Sequence, residues 1–265
     1  MSNNIDNRRS SAIYMPSPND PMIHMIGVGA TGSHMWDMLT CLGYPHMVAY
    51  DFDTVEEHNL NNQTYTKKHV GMLKVEALKK QTEEKCDNDY LYYNHKVTPG
   101  TLNHSFQKYY PTEGHVVVLA IDTMAGRKEL GKAVYGEHLV DFVVDPRIAS
   151  KHADVYAFPN SAWLEWEKWW ETIRDDDDPI FETSPCGGSI SVKPTITMCA
   201  SLCVWSILDW VNERAFDYGI SSFVSPPSLG YKNETNNTAT LCTRPEEGKP
   251  TYNSLFHSHN RHGVN

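Results

Sequence analysis

The residues whose types and spacing can do chemistry begin with Gly27-Val28-Gly29-Ala30-Thr31-Gly32, a run with glycine at its first, third and sixth positions. That spacing belongs to a loop that cradles a phosphate. Gly27 permits the tight turn, Gly29 lets backbone N–H groups approach the phosphate, and Gly32 lets the following helix pack closely on the preceding strand. The helix N-terminus adds unpaired donors and a partial positive charge. Asp51 follows the glycines by about 20 residues, the place where a ribose hydroxyl is normally held. Asp122 closes the apolar run that starts at His115. Together these residues point to nucleotide binding. Gly27, Gly29, Gly32 and Asp51 would serve a nicotinamide dinucleotide and hydride transfer as well as a mononucleotide.

The elements that must position these residues follow from periodicity. An apolar strand over Met22 to Val28 leads into the glycine turn, then a helix with Met35, Leu39 and Leu42 on one face, then a second strand ending at Asp51. Thr54 to His69 is too rich in Asn and Thr for a helix and long enough to be a functional loop. A helix is expected from Gly71 to Lys85, a strand over Leu91 to Val97, a helix over Thr101 to Tyr109 and a buried parallel strand over His115 to Asp122. A helix from Ala125 to His138 and a strand over Phe142 to Asp145 complete the alternation. This pattern predicts an α/β fold: a doubly wound, Rossmann-like, mostly parallel sheet with helices on both faces and a C-terminal extension. Asp51 and Asp122 then share one crevice.

Three regions result. Residues 1–21 are polar, carry Arg8, Arg9, Pro16, Pro18 and Pro21, and read as a flexible arm. Residues 22–150 form the nucleotide-binding half. Residues 151–265 hold a strand over Ala153 to Phe158, an aromatic helix over Trp163 to Trp170, an acidic run from Asp175 to Asp178 that reads as a solvated crossover loop, a buried helix from Pro194 to Val211, and a loop-like tail from Ser221 with one hairpin. This last region is expected to serve substrate or a dimer contact. His257, His259 and His262 fall in a terminus expected to be disordered.

Composition narrows the partners. A formal charge of −10 over 265 residues, without clustered Lys and Arg, argues against nucleic acid. No apolar run reaches the ~20 residues that span a bilayer, the polar start lacks a signal-peptide core, and the six cysteines show no disulfide spacing, so a cytoplasmic location is expected. Cys199 and Cys203 share a helix face without nearby partners and read as buried small hydrophobes.

Four ordered motifs, GVGATGSH, DFDTVEEHNLNNQ, GMLK and AIDTMAGR, resemble the ThiF family of adenylating enzymes, which shows a glycine loop, DxDxVxxxNLxRQ, GxxK, and an Asp followed by an Arg, in this order. The resemblance covers roughly residues 22 to 150. It implies ATP and Mg2+ as cofactors and, as partner, a small ubiquitin-like or sulfur-carrier-like protein or peptide whose C-terminal carboxylate is coupled to AMP with loss of pyrophosphate. It implies a homodimer, with the aromatic patch around Trp166 as its candidate surface. By the same resemblance Asp51 holds the ribose, Ala30 and the glycine-loop N–H groups line the nucleotide, Asn59 sits by the phosphates, Lys74 neutralises developing charge and Asp122 holds magnesium. Asp53 belongs to the same strand-end motif, either at the nucleotide or fixing the loop through Asx-type hydrogen bonds.

Two departures stand out. The family's phosphate-binding Arg in NLxRQ is Asn62 here, so an active enzyme needs a cation from elsewhere: Arg8 or Arg9 reaching from a dimer partner, or Lys67 and Lys68 on the same loop. No CxxC pair exists, so no structural zinc is expected. Cys186, in Ser184-Pro185-Cys186-Gly187-Gly188, is the candidate thiol for onward transfer, because small neighbours leave its sulfur open.

Overall fold

The structure, a computed structural model, describes residues 5–108, 114–149, 152–174 and 191–212, with the backbone of 219–224. Its centre is a seven-stranded sheet in the order β3-β2-β1-β4-β5-β6-β7. The strands are β1 (Met22–Ile26), β2 (Met47–Tyr50), β3 (Leu91–Tyr93), β4 (His115–Leu119), β5 (Val140–Ile148), β6 (His152–Pro159) and β7 (Gly219–Val224). The first five are parallel, and β6 and β7 add antiparallel to β5. Every residue of β1, β2 and β4 is buried, which is why their sequences read as unbroken apolar runs rather than alternating ones.

Helices cover both faces. On one lie α1 (Ala30–Cys41), α2 (Lys74–Glu83) and α6 (Lys193–Val211), packed through Met35, Leu39, Leu78, Cys199, Cys203 and Ile207 against Ile23, Met25, Val118 and Val144. On the other lie α3 (Pro99–Lys108), α4 (Met124–Val134) and α5 (Trp163–Glu171), packed through Phe106, Leu130, Trp166 and Trp169 against Val117, Val143 and Phe158. By length and composition α6 is apolar enough to cross a membrane, yet Ile196, Cys199, Ala200, Cys203 and Ile207 are wholly buried against the sheet, as in a core helix.

Several expectations are corrected. The first residues are not a free arm: Tyr14 is buried, donates to Asp20 and stacks on Tyr44, while Asn212 at the end of α6 donates to the Ile13 carbonyl. The sheet runs through the expected boundary at residue 150, since β5 and β6 pair directly. Ser221 to Val224, expected in a loop-like tail, lie in β7. Within the aromatic patch Trp166 and Trp169 are buried core residues, Trp166 meeting Phe158 and Trp169 edge to face, whereas Trp163 and Leu164 on the same helix are exposed. Cys186, Asp175 to Asp178 and the three terminal histidines lie outside the described residues.

Candidate functional site

The strand order reverses between β1 and β4, and in such sheets ligands bind beyond the strand ends at that point. The glycine loop leaves β1 there, and its glycines have different reasons to be glycine. Gly27 has φ +91° and a Cβ on it would stand 2.3 Å from the Ala120 carbonyl oxygen; a Cβ on Gly32 would stand 2.1 Å from the Gly27 carbonyl oxygen. Both are demanded by chain packing. A Cβ on Gly29 would meet nothing within 4 Å. No contact inside the protein asks for glycine there, and open space over backbone N–H groups at the start of α1 is what an incoming phosphate needs.

Asp51 ends β2 beside this loop. Its carboxylate accepts the Val28 N–H at 2.9 Å and the Asp53 N–H at 2.9 Å, which ties the second strand to the glycine turn. Each oxygen keeps a lone pair for a ribose hydroxyl. Burial raises the Asp51 pKa, opposed by the Lys74 charge and these two N–H groups. Lys74 begins α2, is 8% exposed, and donates from Nζ to Asp53 at 2.7 Å, while its backbone N–H bonds the Asp53 carbonyl. Lys74 is therefore no ordinary surface helix lysine, and Asp53 is its counter-ion. Asp122 lies exposed beyond β4, where Thr123 caps α4 by accepting from Gly126.

Residues 54–73 form an excursion closed at its base, where Thr54 bridges Leu73 and Val55 exchanges backbone bonds with Gly71 and Met72. Expected as irregular, it contains 3-10 turns at Glu57–Asn61 and Lys67–His69. It is strapped over the first turns of α1: Tyr65 donates to the Val28 carbonyl at 2.8 Å, Thr64 N–H to Ser33 Oγ at 3.3 Å, and His34 Nε2 bonds the Asn62 carbonyl at 3.2 Å. Asn59 is buried, and its Oδ1 accepts the Glu56 N–H at 2.9 Å, so its Nδ2 is what it can offer a ligand. Asn62 Nδ2 donates to Ser191 Oγ at 3.1 Å, joining the loop to the residues that lead into α6. His34 is held below the usual imidazole range by burial first, the nearby Lys193 charge adding to this and the Asn62 carbonyl opposing it.

Of the expected substitute cations, Lys67 stays exposed on the same loop, and Lys68, Arg8 and Arg9 have other places within their own chain. Lys68 pairs with Glu84, just past α2, about 15 Å along that helix from Lys74. Arg8 pairs with Asp6. Arg9 lines an apolar groove of about 450 Å³ with Ile13, Cys41, Leu42, Val204 and Trp205, at the opposite end of α1 from the glycine loop.

Sequence reasoning missed a second polar cluster. Arg127 of α4 donates to Asp145 Oδ1 at 2.8 Å and to the Pro146 carbonyl at 2.9 Å; Arg147 and the Trp169 indole donate to Asp145 Oδ2 at 2.9 and 2.8 Å. Arg147 also stacks over Tyr156, 4.2 Å from its ring centre. The Arg of AIDTMAGR thus holds α4 to β5. Among the described residues no cluster of three or more His, Cys, Asp or Glu suits a metal; a Mg2+ held by one carboxylate, phosphates and water needs none, and Asp122 fits that modest demand.

A doubly wound sheet with a glycine loop, an acid at the end of β2 and a second acid just beyond β4 defines a Rossmann-like fold of the kind that binds nucleotides at this crevice. The sequence profile of the ThiF family matches residues 20–249. The chain belongs to the ThiF family. It is 40% identical over 58 residues to the ubiquitin-like modifier-activating enzyme 5 of Drosophila persimilis, a match spanning 22% of this chain and only 15% of that enzyme. The Oryza sativa enzyme of the same name is equally similar over 58 residues. Among solved structures, Escherichia coli MccB superposes with a TM-score of 0.58 at 14% identity, covering 85% of this chain and 68% of that one. Escherichia coli TcdA, a tRNA N6-threonylcarbamoyladenosine dehydratase, gives 0.53 at 17%, covering 74% and 87%. These likenesses support the fold.

Proposed function

We propose that this chain is an ATP-dependent adenylyltransferase that activates the C-terminal carboxylate of a ubiquitin-like or sulfur-carrier-like protein or a peptide. The observation that carries this reading is the open face of Gly29 beside the Asp51, Asp53 and Lys74 cluster, in a chain of the ThiF family. MccB has been solved with ATP, and with AMPCPP and MccA.

The carboxylate oxygen attacks the α-phosphorus, an acyl–O–P bond forms, the α–β anhydride bond breaks, and pyrophosphate leaves with the electron pair. A carboxylate approaches a polyanion only where charge is neutralised. Lys74, already desolvated, is aimed at the crevice by Asp53 and can shift towards a phosphate oxygen. Asp51 orients the ribose, and Asn59 Nδ2 and the amides around Ala30 donate to phosphate oxygens. Asp122 would hold Mg2+, which screens phosphate charge when bound. Onward transfer to Cys186, a homodimer and a cytoplasmic location belong to the same proposal.

A second reading, a noncatalytic nucleotide- or partner-binding relative, is favoured by Asn62 in place of arginine. An NAD-dependent oxidoreductase leaves Lys74 and Asp122 without a task. Calorimetric titration of MgATP against NAD separates nucleotide classes: MgATP binding lost in both Lys74→Ala and Asp122→Ala supports the site, and parent-like binding in both rejects it. Pyrophosphate release with C-terminal peptide acids separates enzyme from binder.

A further inference from the structure

We infer that Lys193, at the start of α6, supplies the cation that the NLNNQ loop lacks, contacting the β- and γ-phosphates of a nucleotide seated on the glycine loop. The inference rests on the nucleotide-binding reading above and adds a residue to it. Its geometric basis is the joint between loop and helix. Asn62, standing where the family pattern has arginine, donates to Ser191 Oγ at 3.1 Å, two residues before Lys193. The Asn62 carbonyl bonds His34 on the second turn of α1, and His34 in turn feels the Lys193 charge. Lys193 therefore stands beside both the loop and the α1 turns whose N-terminus faces the phosphate position.

The side chain is exposed and carries no hydrogen bond or ion pair to a described residue, so its ammonium is available to an incoming anion. Of the other cations, Lys74 pairs with Asp53, Lys68 with Glu84 and Arg8 with Asp6, Arg9 lies in the groove at the far end of α1, and Lys67 stays exposed on the loop itself, with no tie to α1 of the kind that joins Asn62 to the approach of α6. A lysine on a four-carbon stem delivers a point charge without the planar fork of arginine. It restores charge neutralisation but aligns the phosphates less tightly.

The test uses the full chain and calorimetric titration of MgATP and of AMP, comparing the parent, Lys193→Ala, Lys193→Arg and Lys193→Ala combined with Asn62→Arg. A charge-assisted contact from an exposed lysine predicts that Lys193→Ala weakens MgATP binding about tenfold and AMP less than twofold, because AMP lacks the β- and γ-phosphates. Lys193→Arg should bind MgATP as the parent does, and Asn62→Arg should restore binding in the alanine background. Lys193→Ala binding MgATP like the parent, while Lys74→Ala does not, overturns the role of Lys193 and leaves the nucleotide site standing. Equal weakening of MgATP and AMP also overturns it, since Lys193 would then be shaping the site rather than touching the terminal phosphates. A parent that binds no MgATP removes the adenylation reading and this inference together.

Discussion

Gly29 and Gly32 are three residues apart in one loop, yet replacing each by alanine should do opposite things. At Gly32 the new Cβ would stand 2.1 Å from the Gly27 carbonyl oxygen, so the glycine turn or α1 must move by more than an ångström. Overpacking usually costs about 1–3 kcal/mol, and a clash with backbone that cannot rotate away belongs at the top of that range. For a chain of this size about 3 kcal/mol lowers Tm by roughly 6–12 °C. At Gly29 the added methyl meets nothing within 4 Å, so Tm should fall far less than at Gly32. The methyl would instead occupy the surface over which a phosphate approaches the α1 N–H groups. Losing one charge-assisted bond of about 1.5–3 kcal/mol weakens MgATP binding roughly ten- to a hundredfold. Differential scanning calorimetry and titration of MgATP measure both quantities on the same samples. A Gly29→Ala protein that keeps its Tm and binds MgATP like the parent would refute the phosphate loop and leave only a strand-to-helix turn.

Lys74→Ala should weaken MgATP binding by one to two decades while costing little stability, because its partner Asp53 is half exposed and is rehydrated when the ammonium goes; a Tm loss above about 8 °C would make Lys74 a structural residue. Asp145→Ala leaves two buried guanidinium groups without their carboxylate, a change worth about 3–5 kcal/mol, to be read as a large fall in the urea midpoint; an unchanged midpoint would contradict the network. His24 and His115 are buried, bonded to each other at 3.0 Å, and held neutral, His24 well below the usual imidazole range by burial and His115 at about 4 by burial. The unfolded chain takes up protons near pH 6.5 and the folded one does not, so stability is full above about pH 6.5 and falls by about 1.4 kcal/mol per unit for each histidine as pH drops towards 4. Asp51, raised by burial, works against this loss. Urea midpoints that stay flat between pH 6.5 and 4.5, or an acid limb that survives His24→Gln with His115→Gln, would refute it.

Where sequence and structure agree, a local physical demand explains it. The glycine loop was legible because Gly27 and Gly32 have no alternative at their contacts, and β1, β2 and β4 because strands buried on both faces write unbroken apolar runs. The fold class and both acids at the strand ends followed from these alone. What stayed hidden depends on residues far apart in the chain. Asp145 was read as the end of a strand; β5 in fact continues to Ile148, pairing beyond Val144 with β6 alone, and Asp145 is the hub that binds α4 and α5. His24 and His115 passed as members of apolar runs, their pairing set by a register 91 residues apart. Tyr65 and His34 carried no signal of their strapping role, since a tyrosine in a polar loop and a histidine on a helix are ordinary. The arm misled by composition: its prolines and polar residues suggested freedom, whereas Tyr14 stacks on Tyr44 and the Ile13, Pro18 and Pro21 carbonyls are bonded by Asn212, His46 and Tyr44.

The choice between an enzyme and a relic turns on which features the fold itself explains. Gly27, Gly32, Arg127 and the loop straps all answer to packing, and a chain that had lost its ligand would keep them. The open Gly29 does not, since no contact there requires a missing side chain. Nor does Lys74, whose partly buried pair with Asp53 returns little net stability once desolvation is counted. Both are readily explained by an anion arriving between them. Asn62 is the converse case: where the family pattern places a charge, it is a joint that fastens the loop to the approach of α6 through Ser191, two residues before Lys193, to which the cation's role is assigned. A relic has no reason to rebuild that neighbourhood. An enzyme whose cation has moved from loop to helix does, and it predicts that Asn62→Arg in the otherwise native chain raises the rate of pyrophosphate release with a competent peptide acid more than it raises MgATP affinity, since the fork geometry of arginine acts on alignment in the transition state. If the added arginine tightens MgATP and leaves the rate unchanged, the site holds nucleotide without acting on it.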